Sequence, residues 1–277
     1  MADMTTHLHI DPFSGIAGDM FLGAAIDLGT PLADILKALK PISVAKTYRV
    51  ATDRVQRHGI GAVDLKVLVD EPGHTHSHDD GHDHAHHHHH THYGDIMGMI
   101  DQLATTERAK ERARRVTTVL AEAEAEVHGV PVEKVHFHEV GAVDSIVDML
   151  GSAVALELLG VDTMSCGALP ISRGFVKCDH GLMPVPAPAT AYLMRGLPTV
   201  GVDRTGELVT PTGAAIVAAL CETLGPPPAM TLKSVGYGAG DREDPKVPNL
   251  LRLMLGEITA PCRLTPGGLD IPEHAAQ

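Results

Sequence analysis

Residues 6–28, THLHIDPFSGIAGDMFLGAAIDL, decide the fold class because they contain one complete strand, loop and helix. Polar and apolar residues alternate from Thr6 to Asp11, which predicts a first strand. A glycine-containing loop, PFSGIAGD, follows, and the stretch from about Gly18 to Leu28 predicts a helix. The rest of the chain mixes strands and helices without a strict βαβ rhythm. We therefore predict an α+β (irregular α/β) fold without internal repeats.

The same patterns divide the chain into further elements. Helices are predicted over residues 31–40, 105–128, 141–159, 187–195 and 212–224. Strands are predicted over 48–54, 61–70, 161–170, 231–237 and 250–255, and an ordered loop rich in Gly and Pro over 173–188. Residues 1–71 and 94–257 are expected to form one domain, interrupted by a disordered histidine-rich loop at 72–93 and followed by a flexible tail at 258–277.

The amino-acid composition limits the class of protein and of partner that this chain can represent. Hydrophobic residues make up 44 % of the 277 residues, but aromatic residues only 3 % and Trp none, so Ala, Val, Leu, Ile and Met must build the core. The formal charge of -13 disfavours nucleic acid and anionic membranes as partners and favours cations. The four scattered cysteines form no CxxC pair, and neither a signal peptide nor a transmembrane run is recognisable. We expect a soluble, cytoplasmic protein.

The segment 74–92 predicts metal binding, because eleven of its nineteen residues are histidine. Imidazole suits nickel, copper and zinc, and the interleaved Asp79, Asp80 and Asp83 add oxygen ligands. A purification tag and a solvated linker with incidental affinity are the alternatives to metal storage or delivery. The candidate ligands are His74, His76, His78, His82, His84, His86, His87, His88, His89, His90 and His92.

The motif His136-Phe137-His138-Glu139 predicts a more fixed site. Alternate residues of an extended segment share one face, so His136 and His138 could bind one metal together with Glu139. In a helix that begins near residue 141, Asp144 and Asp148 lie on one face. A helix entry with capping acids is the alternative. We treat His136, His138, Glu139, Asp144 and Asp148 as the first candidates for catalysis.

Four further groups of residues are weaker candidates. His9 and Asp11 share a face of the first strand with His7, and Asp19 begins the helix that follows, so His9, Asp11 and Asp19 could bind metal. A loop with Ser14, Gly15 and Gly18, and another with Thr210, Thr212 and Gly213, could hold a phosphate or carboxylate at a helix start, although ordinary turns explain them equally. Cys178 and His180 could be a ligand pair or a nucleophile with its base.

The motif at residues 236–241, GYGAGD, is similar to a phosphate loop only loosely, since it lacks the lysine and the frame of known fingerprints.

Long segments of the chain resemble the LarC family of nickel-insertion proteins. The similarity runs from about residue 7 to 257. It is carried by the segments HLHIDPFSGIAGDMFLGAAIDLG, HFHEVGAVDSIVDMLG, VKCDHGLMPVPAPATAYLMRG, ELVTPTGAAIVAAL, GYGAGDRE and PNLLRLMLGE, and by the acidic histidine-rich loop.

The resemblance implies a nickel chelatase or cyclometallase of the lyase class, which completes the nickel-pincer nucleotide cofactor of lactate racemase. The family inserts Ni(II) into pyridinium-3,5-bisthiocarboxylic acid mononucleotide, forming two nickel–sulfur bonds and one nickel–carbon bond, and uses CTP with Mg(II) or Mn(II). Full-length members continue further, and CTP binding is placed in that C-terminal part. The expected partners are therefore the nucleotide precursor and the C-terminal part, with a homo-oligomer left open and activity of this chain alone in question.

Two other classes of function stay open on the residues alone. A nickel store or metallochaperone would exchange ligands without catalysis. A metal-dependent hydrolase would use the HxHE residues to hold a zinc-bound water.

Overall fold

A computed structural model describes residues 4–44, 48–69, 91–137, 142–178, 181–242 and 244–259. The helices in this part are α1 Gly18–Asp27, α2 Leu32–Leu39, α3 Tyr93–Gln102, α4 Glu107–His128, α5 Val143–Leu158, α6 Pro188–Leu193 and α7 Pro211–Leu220. The strands are β1 Met4–Asp11, β2 Tyr48–Arg57, β3 Ile60–Val69, β4 Thr91–His92, β5 His136–Phe137, β6 Thr163–Cys166, β7 Leu169–Arg173, β8 Phe175–Cys178, β9 Gly181–Pro184, β10 Thr199–Thr205, β11 Thr223–Leu224, β12 Thr231–Ala239 and β13 Leu250–Thr259.

The largest sheet has seven strands in the order β11-β6-β1-β13-β12-β3-β2. Strand β1 lies parallel to β6 and antiparallel to β13, and β12 lies antiparallel to β13 and parallel to β3. Strands β2 and β3 form an antiparallel hairpin around His58 and Gly59, as the sequence predicts. Parallel and antiparallel neighbours in one sheet, with helices packed on it, confirm the α+β fold class.

Glycines bring helix α1 unusually close to the sheet. A Cβ atom at Gly238 of β12 would lie 1.8 Å from the carbonyl oxygen of Met20, and one at Gly236 would lie 2.3 Å from that of Ala24. On α1 itself, a Cβ at Gly23 would lie 2.6 Å from the carbonyl oxygen of Val63 in β3. The GYGAGD motif is therefore not a phosphate loop. Its glycines let the helix backbone rest on the strand.

Helix α4 shows how local sequence sets the element boundaries. The Thr106 side chain accepts a hydrogen bond from the N–H of Ala109 at 3.2 Å, which caps the first turn. Gly129 ends the helix in the left-handed region at φ 65°, where glycine carries no Cβ penalty. The face of α4 that includes Ala113, Val116 and Leu120 is buried in the main core. The predicted helix over 105–128 is confirmed to within two residues.

Several predicted elements differ from the observed ones. Residues 173–188, predicted as a loop, contain the hairpin of β8 and β9, because backbone pairing here does not depend on an alternating apolar face. The predicted strand over 161–170 is split between β6 of the large sheet and β7, which pairs with β10. The last predicted helix ends at Leu220, and Thr223 and Leu224 join the sheet as β11. Helix α3 and strand β10 have no counterpart in the predictions.

Within the described residues, no helix is long and apolar enough to cross a membrane.

Candidate functional site

Helices α1, α5 and α7 begin around one open cavity of about 360 Å³. Five carboxylates line it and Lys66 is the one cation among the lining residues, so the cavity attracts cations. The lining residues are Ala17, Asp19, Leu65, Lys66, Val67, Asp144, Ser145, Asp148, Glu207, Thr210, Pro211, Thr212 and Asp241. Segments far apart in the sequence therefore meet here, including three of the motifs singled out above.

Asp19 and Asp148 form the most deeply placed pair of the cavity. Asp19 lies in the first turn of α1, and Asp148 lies in the second turn of α5, on the same face as Asp144. The two helices touch closely, since a Cβ atom at Gly18 would lie 2.4 Å from the Cβ of Asp148. The Oδ1 atom of Asp148 is buried without a hydrogen-bond partner among the described residues. A buried polar atom left unpaired costs free energy, so this oxygen is available to a ligand.

Burial and mutual repulsion change the acidity of both carboxyl groups. Burial raises the pKa of Asp19 to about 6, although hydrogen bonding from the N–H of Met20 at 2.7 Å acts in the opposite direction. Burial also raises the pKa of Asp148 well above its usual range, and the charges of Asp19 and Asp144 raise it further. Because two neighbouring carboxylates resist ionising together, such a pair tends to share one proton and to leave one carboxylate ionised.

Lys66 partly neutralises the negative charge at the edge of the cavity. Its ammonium group lies 3.1 Å from Oδ1 of Asp64 and forms an ion pair with Asp241. The lysine therefore connects strand β3 with the loop that follows β12. Within the described ranges, no three His, Cys, Asp or Glu side chains are grouped closely enough to hold a metal ion. A metal in this cavity would thus need further donor atoms from its ligand or from water.

The two predicted phosphate loops meet each other at the cavity wall. Thr210 caps α7 by accepting a hydrogen bond from the N–H of Gly213 at 3.2 Å. The hydroxyl of Thr212 lies 3.0 Å from that of Thr210 and accepts a hydrogen bond from the N–H of Gly18 at 3.3 Å. That N–H group is therefore occupied within the protein, and phosphate binding by these loops stays a prediction.

The remaining glycines of these loops serve close packing. A Cβ atom at Gly15, whose φ is 120°, would lie 2.0 Å from the carbonyl oxygen of Leu208. A Cβ at Gly213 would lie 2.4 Å from that of Ile16. Ser14 is fully buried, and its hydroxyl accepts a hydrogen bond from Arg204 at 2.8 Å.

His9 and Asp11 do not line the cavity with Asp19. The Nδ1 atom of His9 and the Nε2 atom of His7 lie 2.8 Å and 2.7 Å from the same hydroxyl, Oγ of Ser165 in β6. Burial lowers the pKa of both histidines. Asp11 forms an ion pair with Arg252 of β13. The predicted group His9, Asp11 and Asp19 is therefore divided between two places in the fold.

His92, at the end of the histidine-rich segment, pairs with His136 across the short ladder of β4 and β5. Cys178 ends β8. The histidines His74 to His90, His138, Glu139 and His180 lie outside the described residues. Their predicted roles in metal binding and catalysis stay predictions.

Sequence reasoning missed several residues that shape the cavity. Asp64 and Lys66 lie within a strand whose alternation pointed only to a sheet, and Asp241 is the last residue of the motif that was compared with phosphate loops. Glu207 precedes a predicted helix without belonging to it. Each of them is a single charged residue beside glycine or apolar residues, a pattern that is also common at ordinary surface positions.

The chain is similar to known proteins over most of its length. Residues 8–271 match the family described as "Nickel insertion protein". A "Putative nickel insertion protein" of Geobacter sp. strain M21 is 48% identical over 249 residues, which cover 90% of this chain and 61% of that protein. The "Pyridinium-3,5-bisthiocarboxylic acid mononucleotide nickel insertion protein" of Geobacillus kaustophilus is 44% identical over 264 residues, 94% of this chain and 61% of that protein. No solved structure matches the chain.

Proposed function

Because the chain belongs to the nickel insertion protein family, we propose that it takes part in inserting Ni(II) into pyridinium-3,5-bisthiocarboxylic acid mononucleotide. It spans 61% of the length of these relatives, and the activity proposed is that of the whole protein. The observation that carries the proposal is the buried pair Asp19 and Asp148 at the acidic cavity. Nickel is a substrate in this reaction.

The chemistry of insertion requires a base. Forming two nickel–sulfur bonds uses the thiocarboxylate sulfurs as donors, whereas forming the nickel–carbon bond replaces a C–H bond of the pyridinium ring. The electron pair of that bond goes to nickel, and the proton must be accepted nearby. Carboxylates with raised pKa values are stronger bases than ordinary ones, and Oδ1 of Asp148 has no partner among the described residues. We assign proton acceptance to this pair.

The cavity also suits the arrival of nickel. Its carboxylates Asp19, Asp144, Glu207 and Asp241 attract a divalent cation before the sulfur ligands bind it. Carboxylate oxygens are harder donors than sulfur, so these side chains would hold nickel exchangeably and release it to the precursor. Transfer to a soft sulfur donor is then favourable. We assign the collection of nickel to the histidine-rich segment.

Four finer assignments belong to the same proposal. The dependence on CTP with Mg(II) or Mn(II) that the resemblance implies is proposed for the whole protein, as are the C-terminal part as partner, a homo-oligomer and a cytoplasmic location. The insertion assay below tests the nucleotide requirement directly by omission of CTP.

The test is an insertion assay with the bisthiocarboxylated precursor, nickel and CTP, with the C-terminal part of a full-length relative supplied. Product formation is followed by mass spectrometry. Asp148→Asn preserves the shape of the side chain and removes its basicity, so we expect at least about a hundredfold loss of rate. Asp34→Asn, at an exposed position of α2, is the matched control. Full activity of Asp148→Asn would refute the assignment of the base, and nickel binding without any product would favour a metallochaperone.

A further inference from the structure

A second cavity of about 320 Å³ is built from the segments next to the acidic one. Four cations and two carboxylates line it, which leaves a local positive surplus in a chain with a formal charge of -13. The lining residues are Arg173, Asp203, Arg204, Thr205, Arg242, Asp244, Pro245 and Lys246. A positive cavity in an acidic protein is suited to an anion.

Arg204 is the anchor of this second cavity. Its side chain is only 9% exposed, and its Nε donates a hydrogen bond to Oδ2 of Asp244 at 2.8 Å. Its Nη1 donates to the carbonyl oxygen and the hydroxyl of Ser14, at 3.1 Å and 2.8 Å. Its Nη2 is buried without a hydrogen-bond partner among the described residues. The guanidinium group is held in place, and one of its N–H donors has no partner among these residues. This donor can therefore bind an acceptor atom of a ligand.

The other groups of the cavity add charge without competing for that donor. Arg242 donates a hydrogen bond from Nη1 to the carbonyl oxygen of Thr205 at 2.6 Å. Gly206 makes this placement possible, since its φ is 77° and a Cβ there would lie 2.4 Å from Nη1 of Arg242. Asp244 already accepts hydrogen bonds from Arg204 and from the N–H of Lys246.

The two cavities are adjacent along the chain at two places. Arg204 of the positive cavity and Glu207 of the acidic cavity are three residues apart, and Arg242 directly follows Asp241. Ser14, which Arg204 holds, belongs to the loop that leads into α1 and Asp19. A ligand with an anionic group at one end could therefore place its other end near the carboxylate pair.

We propose that this arginine cavity binds the phosphate group of a pyridinium mononucleotide and thereby directs the ring toward Asp19 and Asp148. The inference rests on the proposed function and names the subsite that would recognise its substrate. A phosphate monoester offers three oxygens to the planar donors of Arg204 and Arg242, a geometry that arginine matches better than lysine. Phosphate binding at this position would fix the ligand without touching the reacting atoms.

The experiment is isothermal titration calorimetry of the 277-residue chain without nickel. The probes are nicotinate mononucleotide, its dephosphorylated riboside, inorganic phosphate and CTP with Mg(II). We expect the mononucleotide to bind at least about tenfold more tightly than the riboside, and Arg204→Met or Arg242→Met to remove that difference. Arg195→Met is the control, because Arg195 is exposed and pairs with Glu126 elsewhere. Circular dichroism checks folding, and Arg242→Met serves if Arg204→Met does not fold.

Each result decides the proposal. Equal binding of mononucleotide and riboside, or unchanged binding in Arg242→Met, overturns it. Tight binding of CTP that Arg242→Met abolishes, with no binding of the mononucleotide, assigns the cavity to another phosphate ligand and also overturns it. Because these titrations contain neither nickel nor thiocarboxylates, a chain that prefers the mononucleotide but fails in the insertion assay would refute the proposed function alone.

Discussion

His92 and His136 lie opposite each other in the ladder of β4 and β5, with their ring centroids 4.1 Å apart and their ring planes tilted by 53°. His92 is the last histidine of the histidine-rich segment, and His136 is the first residue of the HFHE motif. Composition predicted a metal-collecting segment and spacing predicted a fixed site. The ladder joins the end of the former to the start of the latter, and nickel collection by both stays a prediction.

Removal of the collecting segment should affect nickel capture and not the chemistry. Replacing residues 74–90 by a Gly/Ser stretch of equal length should leave the insertion rate unchanged at saturating nickel. At limiting nickel the rate should fall roughly tenfold, because the local concentration of imidazoles is lost. The insertion assay across a nickel titration measures this. Complete inactivity at saturating nickel, with the fold intact, would show that these histidines take part in insertion itself.

The raised pKa of Asp19 predicts a dependence of stability on pH. The unfolded carboxyl loses its proton near its usual pKa of 3.8, whereas the folded one keeps it up to about 6, so stability falls as pH rises through this window. Asp19→Asn cannot ionise and should be more stable than the wild type at pH 7.5 by about 1–3 kcal/mol, with little difference at pH 3.5. Urea unfolding at both pH values measures the change.

Asp34→Asn, at an exposed position, controls for loss of negative charge as such. A gain in stability that is the same at pH 3.5 and 7.5 would contradict the assignment of the raised pKa to Asp19.

The close contact between α1 and β12 predicts that one added methyl group in β12 strongly lowers the free energy of unfolding. Gly238→Ala places a Cβ atom against the carbonyl oxygen of Met20, and since both partners are backbone, neither can move away cheaply. We expect destabilisation by roughly 3 kcal/mol or more. Gly61→Ala is the matched control in β3, where a Cβ meets no atom within 4 Å. Chemical denaturation should show at most about 0.5 kcal/mol there, and similar losses for both variants would refute the close contact.

The lowered pKa of His9 predicts that stability rises with pH, which is opposite to the effect of Asp19. Burial lowers its pKa below the usual 6.5, so the stability it contributes is present above that value and is lost as pH falls through the folded-state pKa. His9→Gln keeps a polar group that can bond to Ser165 but cannot be protonated. The advantage of the wild type over His9→Gln in free energy of unfolding should therefore shrink between pH 7 and pH 5. A constant difference over this range would show that His9 does not titrate there.

The sequence predicted those parts of the fold that have strong local patterns. Helix α4 has a capping Thr106, a terminal Gly129 and a periodic apolar face, and its boundaries agree with the prediction. Strand β8 was missed, because none of its four residues is buried and Phe175 is exposed, so the stretch has no apolar face that packs on the core. Helix α3 was missed because it follows directly on the histidine-rich segment. Its capping residue His92 was therefore interpreted as part of that segment, and Asp95 was not recognised as the partner of His92 in the cap.

The candidate site was predicted in part for a related reason. The spacing of Asp144 and Asp148 correctly placed both on one face of a helix, and Asp19 was recognised as a separate candidate. That Asp19 meets Asp148, whereas His9 bonds to Ser165, depends on contacts between residues more than a hundred positions apart. Local spacing contains no information on such contacts. Arg204 was overlooked because a single arginine in a strand resembles any surface arginine until its burial is known.

The position of β13 has a consequence for synthesis of the chain. Strand β1 lies between β6 and β13, so β1 gains its second neighbour only after residues 250–259 have been translated. Until then β1 and β12 each have an open edge at which another nascent chain could pair. Contacts of such long sequence separation form slowly. Truncation before Leu250 should therefore produce aggregation during expression, and aggregation suppressors should act before residues 250–259 have been translated.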